Sequence, residues 1–396
     1  GYFPTVSGNA SAARGSSSQN LGNQSFAQGS RSTNTNYALS LDAAWEPDLW
    51  GRVRRTVESN VAGAQASAAD LQALRLSIQA ELAQDYFQVR ALDAEKQLFD
   101  DTIAAYQRSL TLTQNQYAAG IVAKVDVIQA QTQLKVTQAQ ALDIGVQRAQ
   151  LEHAIALLIG KPASSFSLAV APLSASPPAV PAAIPSSLLE RRPDIAAAER
   201  RMAAANAQIG VAEAAYYPNL TLSAAGGFES SSFSNWITAP SRFWSVGPAL
   251  AQTLFDGGLR RAQTGQAIAV YDANVAGYRQ TVLNGFKEVE DNLAALRILD
   301  EEAVVQDEAL QSARQSVALT TNQYKAGFVS YLSVVIVQAS ALNNERSAVD
   351  ILNRRLAASV LLIKALGGGW HASDLPTTDE LAHNTAFSHD QTVNSR

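Results

Sequence analysis

"NQYAAGIVAKVDV" at 115–127 and "NQYKAGFVSYLSV" at 322–334 are two writings of one phrase, half a chain apart. Tyr117 matches Tyr324 and Gly120 matches Gly327, a separation of 207 residues. The same shift carries Arg90-Ala91-Leu92-Asp93 onto Arg297-Ile298-Leu299-Asp300, and Ile159-Gly160 onto Leu366-Gly367. Allowing a small insertion, Leu49-Trp50 before Arg54-Arg55 answers Leu254-Phe255 before Arg260-Arg261, and "YFP" at Tyr2 answers "YYP" at Tyr216. Almost the whole chain is a duplication. Its period exceeds that of ordinary solenoid units, so each half is a module of several elements.

Long Gly- and Pro-free stretches flank each phrase, from Ala64 to Ala119 and from Phe286 to Ala326. Leu71, Leu74, Ile78, Leu82, Tyr86 and Val89 step by threes and fours, as do Val282, Phe286, Val289, Leu293 and Leu296. That spacing suits a coiled-coil seam. A helix of roughly 65 residues reaches on the order of 100 Å. Polar residues near Asp93 and Asp300 disturb the period, and a break is expected there. Gly120 and Gly327 fall where such a helix must reverse, since glycine accepts the left-handed backbone that ends a helix. Each phrase therefore predicts the tip of an antiparallel helical hairpin, the return helix starting near Asp126 or Ser333.

Upstream of the helices the period changes to two, the strand signal. In "NYALSLDAAW", Tyr37, Leu39, Leu41, Ala43 and Trp45 share a face opposite Ala38, Ser40, Asp42 and Ala44. In "PNLTLSAAGGF", Leu220, Leu222 and Ala224 oppose Thr221, Ser223 and Ala225. "FWSVGPALAQTLF" reads as a further strand, with Pro248 suited to an edge or bulge. Ser/Gly/Asn-rich stretches such as "GSSSQNLGNQSFAQGSRSTNTN" read as long polar loops.

The organisation expected is a first repeat over 1–160, with strands at about 2–13 and 36–46 and helices at about 49–118 and 124–159. A Pro-rich crossover takes 161–185. The second repeat takes 186–367, with a helix at about 188–215, strands at about 218–229 and 243–255, and helices at about 258–325 and 331–366. A flexible tail follows over 368–396. Nothing before Tyr2 answers the helix that opens the second half, so a matching helix is expected upstream of this sequence.

Composition narrows the function. The chain has 396 residues, a net charge of −5 and no cysteine. Disulfides and thiolate metal sites are excluded, and nothing in the charge calls for nucleic acid. No apolar run reaches the ~18 residues of a spanning helix. No nucleophile–base pair, phosphate loop or carboxylate dyad stands out, so neither enzyme nor cofactor is expected. His153 lies within a helix and His383 and His389 lack ligand spacing, so no metal is expected.

The strands remain to be satisfied. One face carries Tyr, Leu and Trp, the other Ser, Thr, Asp and Ala. A barrel with lipid outside and water inside fits such strands, with Tyr37, Leu39, Leu41, Trp45, Leu220, Leu222 and Trp244 facing lipid. Four strands cannot close a barrel, as about eight is the minimum. Several copies must join; two would give eight strands and three would give twelve.

"EPDLWGRVRR", "ERRPDIAAAERR", "AYYPNLTL", "LFDGGLRRA" and the two "NQY.AG" tips, in this order around a duplication, resemble the outer-membrane efflux proteins related to TolC and OprM. The resemblance covers Gly1 to Gly369, and the first two motifs look most like the lipid-anchored branch containing OprM. It implies a mainly α fold with membrane β: duplicated long hairpins forming an α-barrel across the periplasm, and four strands per chain in a trimeric outer-membrane β-barrel. It implies a homotrimer serving as exit duct for drugs or other small molecules, and a lipid-bearing Cys upstream of Gly1. The partners implied are a periplasmic adaptor and an inner-membrane pump of RND or another type. The adaptor would dock at tips containing Tyr117, Gly120, Val122, Tyr324, Gly327 and Val329.

Relatives are pinched near the second tip by Asp side chains and Tyr-centred hydrogen bonds. Tyr324 matches the Tyr and Asp126 survives at the first tip, while Ser333 and Ile336 stand at the acidic positions and Val329 at a basic one. A constriction involving Asp126, Tyr324 and Ser333 would thus differ from the family's, and Asp126 also suits a helix N-cap. Two other functions fit the residues: the duct of a type I protein secretion system, and a soluble coiled-coil scaffold capped by a small sheet.

Overall fold

The computed structural model describes residues 2–16, 33–173, 176–178 and 191–381. Most of the polar loop after residue 16, residues 174–175 and 179–185 of the crossover, the first residues of the helix expected from about 188, and the tail beyond 381 with His383 and His389 lie outside the described residues. The elements are β1 (Thr5–Ser16), β2 (Thr33–Trp45), α1 (Arg52–Ala118), α2 (Lys124–Leu158), α3 (Pro193–Ala214), β3 (Asn219–Ser230), β4 (Arg242–Ala251), α4 (Leu259–Lys325) and α5 (Tyr331–Ala365). They fall into two units. The first is Gly1–Ser67, Ala198–Tyr278 and Pro376–Arg396; the second is Ala68–Ala197 and Arg279–Leu375.

The first unit holds one antiparallel sheet in the order β1-β2-β3-β4. β4 lies at its edge, where the N–H that Pro248 lacks is least missed. Gly227 marks a close approach of β3 to β2: a Cβ there would stand 2.0 Å from the Leu39 carbonyl oxygen and 2.8 Å from Ser40 Cα.

The second unit holds both hairpin tips. α1 and α4 each run 67 residues without interruption, so the break expected near Asp93 and Asp300 does not occur. Those residues disturb the apolar period because they are ion-paired. Asp93 accepts from Arg90 at 2.9 Å and from Arg148 at 2.6 Å, spanning α1 and α2. The residues after α2 are laid across this pair. Arg148 donates to the Leu168 carbonyl at 2.8 Å and Arg90 to the Ala169 carbonyl at 2.6 Å. Ala171 N–H donates to Asp93 at 3.2 Å, and Leu168 N–H to Glu152 at 2.7 Å. One buried carboxylate thus joins three pieces of chain.

The duplication preserves the pair in the second hairpin, where Arg355 meets Asp300 at 2.5 Å. There the Asp side chain is 58% exposed, against 2% for Asp93. Burial by a covering segment, not the pair itself, distinguishes the halves.

The chain after α5 corrects the tail expected from residue 368. Gly367, Gly368 and Gly369 all have positive φ, and the turn they make packs Trp370 and Leu375 against Ala69, Ala196 and Ala197. The Pro376 carbonyl accepts from Gln65 at 3.0 Å, and described structure continues to Leu381. Arg192, from the "ERRPD" motif, is buried. It pairs with Asp194 at 2.7 Å and Glu288 at 2.8 Å, and donates to the Ala365 carbonyl at 3.1 Å. A cation there also suits the C-terminal end of α5.

Of the expected helical seam, Val89, Val289 and Leu296 are buried, whereas Leu71, Leu74, Tyr86 and Phe286 are exposed. Within one chain, the seam has no partner over much of its described length.

Candidate functional sites: the two-faced sheet and the hairpin tips

Strand register fixes the faces of the sheet. Tyr37 pairs with Ala12 and Ser230, Leu39 with Ala10 and Phe228, Leu41 with Gly8 and Gly226, and Trp45 with Leu222. Leu220 pairs with Leu250, Ala224 with Val246 and Gly226 with Trp244. Side chains directly opposite one another share a face. All seven residues expected to face lipid therefore lie on one side, joined by Val6, Val246 and Leu250. Trp244 is 79% exposed, Val246 71% and Leu250 70%. Nothing among the described residues covers them.

The other face is polar apart from Phe243, which pairs with Gly227. Asn9 donates to Asp42 at 2.8 Å, Ser40 donates to the same carboxylate at 2.8 Å, and Asn36 donates to Glu229 at 2.8 Å. Asp42 and Glu229 are the acids on this face, and among the described strand residues it carries no Lys or Arg.

Aromatic groups gather at both ends of the sheet. At the loop end, Tyr37 lies 5.5 Å from Phe233 and 5.8 Å from Trp236, centroid to centroid. At the helix-linked end, Trp50 stacks on Tyr217 at 4.8 Å and donates to the Pro218 carbonyl at 2.8 Å, while Trp45 donates to the Tyr2 carbonyl at 3.0 Å. Amphipathic rings suit the boundaries of an apolar layer, and at the helix-linked end the Trp45 and Trp50 N–H groups are satisfied.

The tips are built by one backbone device. Gly120 has φ +73 and Gly327 φ +81. Ile121 N–H donates to the Gln116 carbonyl at 2.8 Å and Gly120 N–H to Tyr117 at 2.9 Å; Phe328 and Gly327 repeat this with Gln323 and Tyr324 at 2.9 and 3.0 Å. This is the Schellman closure, which requires the left-handed residue glycine supplies.

The side chains break the symmetry. Tyr117 is 45% exposed, whereas Tyr324 is 5% exposed. Tyr324 packs with Tyr106 and Leu110 of α1, Ala130 and Leu134 of α2, and Tyr331 and Val334 of α5. Its hydroxyl donates to Gln116 at 2.8 Å and lies within hydrogen-bond distance of the Thr113 hydroxyl at 3.2 Å. Burial pushes the Tyr324 pKa up, opposed by the Thr113 hydrogen bond and aided by the Asp126 charge. The phenol stays protonated and able to donate. Tyr324 therefore locks the two hairpins together rather than presenting a docking side chain. Tyr117, Gly120 and Gly327 are exposed, and Val122 and Val329 half-buried.

Of the residues expected at a constriction, Asp126 is not the N-cap. It stands at the third position of α2, its carboxylate accepting the Ala123 N–H at 3.2 Å. Ala123 occupies the cap position and has no side-chain acceptor to offer, and the Asp126 N–H is met instead by the Ala123 carbonyl at 3.1 Å. Ser333 is half-buried on the first turn of α5.

Tyr324→Phe removes two hydrogen bonds from a buried interface, a loss of about 1 kcal/mol. Amides on both sides of Gly327 should then exchange hydrogen roughly fivefold faster, while those around Gly120 change less. Equal acceleration at both tips would show that Tyr324 is not the asymmetric lock.

The profile of the outer membrane efflux protein family matches residues 1–161 and 184–368. The toluene efflux pump outer membrane protein TtgI of Pseudomonas putida is 31% identical over 94% of this chain and 78% of its own length. The pyoverdine export outer membrane protein OpmQ of Pseudomonas aeruginosa is 32% identical over 90% of this chain and 76% of its own. Among solved structures, the outer-membrane channel OprN superposes with a TM-score of 0.86 at 33% identity, covering 93% of this chain and 82% of OprN. The outer membrane protein VceC of Vibrio cholerae superposes with 0.82 at 28% identity, covering 93% and 88%.

Proposed function

We propose, because this chain belongs to the outer membrane efflux protein family, that three copies of it form the exit duct of a tripartite pump. The duct conducts small molecules passively through the outer membrane. The four strands of each copy close into a barrel of twelve, lipid outside and water inside. The hairpins of the three copies line a helical tube through the periplasm, burying the exposed helical stripes against one another. A periplasmic adaptor docks at the exposed surface of the tips, with Tyr117 and the backbone around Gly120 and Gly327 as its first contacts, and an inner-membrane pump supplies the energy.

The observation that carries this reading is the sorting of side chains by the sheet. Every large apolar strand residue expected to face lipid falls on one face and both strand carboxylates on the other. A soluble scaffold would need protein over the apolar face. Relatives named for toluene and pyoverdine export favour small-molecule cargo over a protein. The test is deletion of the gene, with susceptibility to drugs and solvents as readout. Hypersensitivity supports the reading; an unchanged profile with loss of an exported protein would reassign the duct to secretion.

The polar face adds a quantitative expectation. With Asp42 and Glu229 as the charged groups among the described strand residues of this face, the barrel wall is negative inside and should favour cations. In planar bilayers under a salt gradient, Asp42→Asn with Glu229→Gln should move the reversal potential toward zero by about half or more. An unmoved potential would place selectivity elsewhere in the duct.

A further inference from the structure

The apolar face of the sheet carries two charged side chains among its described residues, and both are arginines. Arg14 pairs with Thr35, which precedes Tyr37 by two residues on the same face, and Arg242 pairs with Phe228. Both stand at the loop end of their strands: Arg14 near the end of β1 and Arg242 at the start of β4. The hydrocarbon-facing positions nearer the helices, including Val6, Leu41, Val246 and Leu250, hold no charge. No acid lies on this face, and neither arginine has an ion pair with another described residue. The Arg242 guanidinium lies 5.9 Å from the centre of the Phe228 ring, and Arg14 is exposed.

An arginine on a lipid face is costly at the midplane and tolerated near the boundary, where its stem reaches to the headgroups. Solubility cannot be the reason for these two, since water lies on the opposite face. Their place at one boundary, beside the Tyr37–Phe233–Trp236 aromatic group, gives them anionic headgroups as the available partners. β1 and β4 are also the two edges of the sheet. Closing a ring of copies brings β4 of one protomer beside β1 of the next, so Arg242 and its neighbour's Arg14 flank one seam. Two guanidiniums on a lipid-facing seam match a phosphate monoester, which each can bind through paired N–H groups.

We propose that Arg14 and Arg242 of adjacent protomers form a phosphate site for the phosphorylated glycolipid of the outer leaflet, one site at each subunit seam. The proposal rests on the trimeric barrel reading, in which the loop end faces the cell exterior. The site is absent from a single chain, so the lipid would bind the assembled channel in preference to the monomer.

The experiment uses the full chain purified in detergent and native mass spectrometry, with bisphosphorylated lipid A, its dephosphorylated form and phosphatidylethanolamine as probes. Wild-type trimer should retain the bisphosphorylated lipid about tenfold more than either of the others, and Arg14→Gln with Arg242→Gln should erase most of that preference. Equal retention of phosphorylated and dephosphorylated lipid by wild type, or an undiminished preference in the double variant, would overturn the site. If the double variant does not assemble, the wild-type comparison of the two lipid A forms decides alone. Bilayer conductance separates loss of the lipid site from loss of the barrel. A conducting trimer indifferent to the phosphates ends the lipid site only, whereas a non-conducting single chain ends the barrel reading.

Discussion

Gly227→Ala is expected to abolish assembly in the membrane, leaving less than about a tenth of the wild-type oligomer in the outer-membrane fraction. The added Cβ would stand 2.0 Å from the Leu39 carbonyl oxygen and 2.9 Å from its carbon. Both are backbone atoms that cannot move without parting β2 from β3. Overpacking against backbone costs about 3 kcal/mol or more, and here the strain falls on the central pair of the sheet. The neighbouring glycine is the control. A Cβ at Gly226 would meet the Phe243 carbonyl at 3.8 Å and Trp244 Cβ at 4.0 Å, ordinary contacts, and it would project from the apolar face. Gly226→Ala should assemble normally. Semi-native electrophoresis of both variants reads the difference, and normal assembly of Gly227→Ala would show that the strands do not approach as described.

Asp93→Ala is the second large effect. It strips the carboxylate from between Arg90 and Arg148 and leaves two largely buried cations facing each other, with the Leu168–Ala171 segment losing the acceptor for its Ala171 N–H. Breaking a buried pair by removing one partner costs about 3 kcal/mol. The matched variant Asp300→Ala removes the duplicate carboxylate, which is largely solvent-exposed, and should cost less than about 1 kcal/mol. Thermal unfolding of the two variants measures the contrast. Limited proteolysis should find new cleavage after residue 160 in Asp93→Ala alone. Equal losses in both would mean that the covering segment contributes nothing.

The hairpins are legible in the repeated phrase because a helix reversal demands a left-handed residue, and glycine at 120 and 327 meets that demand at a fixed spacing. The faces of the strands are legible for a similar reason. A period of two survives in Tyr37, Leu39 and Leu41 whatever the partner strand. What the phrase conceals is the difference between its two copies. Tyr117 and Tyr324 have identical neighbours on one side, yet one is solvated and the other locked against Thr113 and Gln116. That difference is made by a different helix, about 210 residues away in the chain, and no local pattern carries it.

The same holds for Asp93 and Arg192. Each looks like an interruption of an apolar period or a surface charge, and each turns out to tie together segments distant in sequence. A signal for Asp93 was present, since the Arg90–Asp93 spacing recurs at Arg297–Asp300. Its meaning depended on the segment after α2, which has no counterpart over the second hairpin among the described residues. Asp126 shows the limit at a single residue: its position near a helix start was readable, but the turn of helix separating a cap from a third-position acceptor was not.

Stoichiometry tests the central claim most directly. Native mass spectrometry of the detergent-purified chain, paired with imaging of the same particle, should give three copies around a closed barrel with Trp244 and Leu250 of each turned outward. A monodisperse single chain, soluble without detergent and with those side chains packed inside it, would contradict the account.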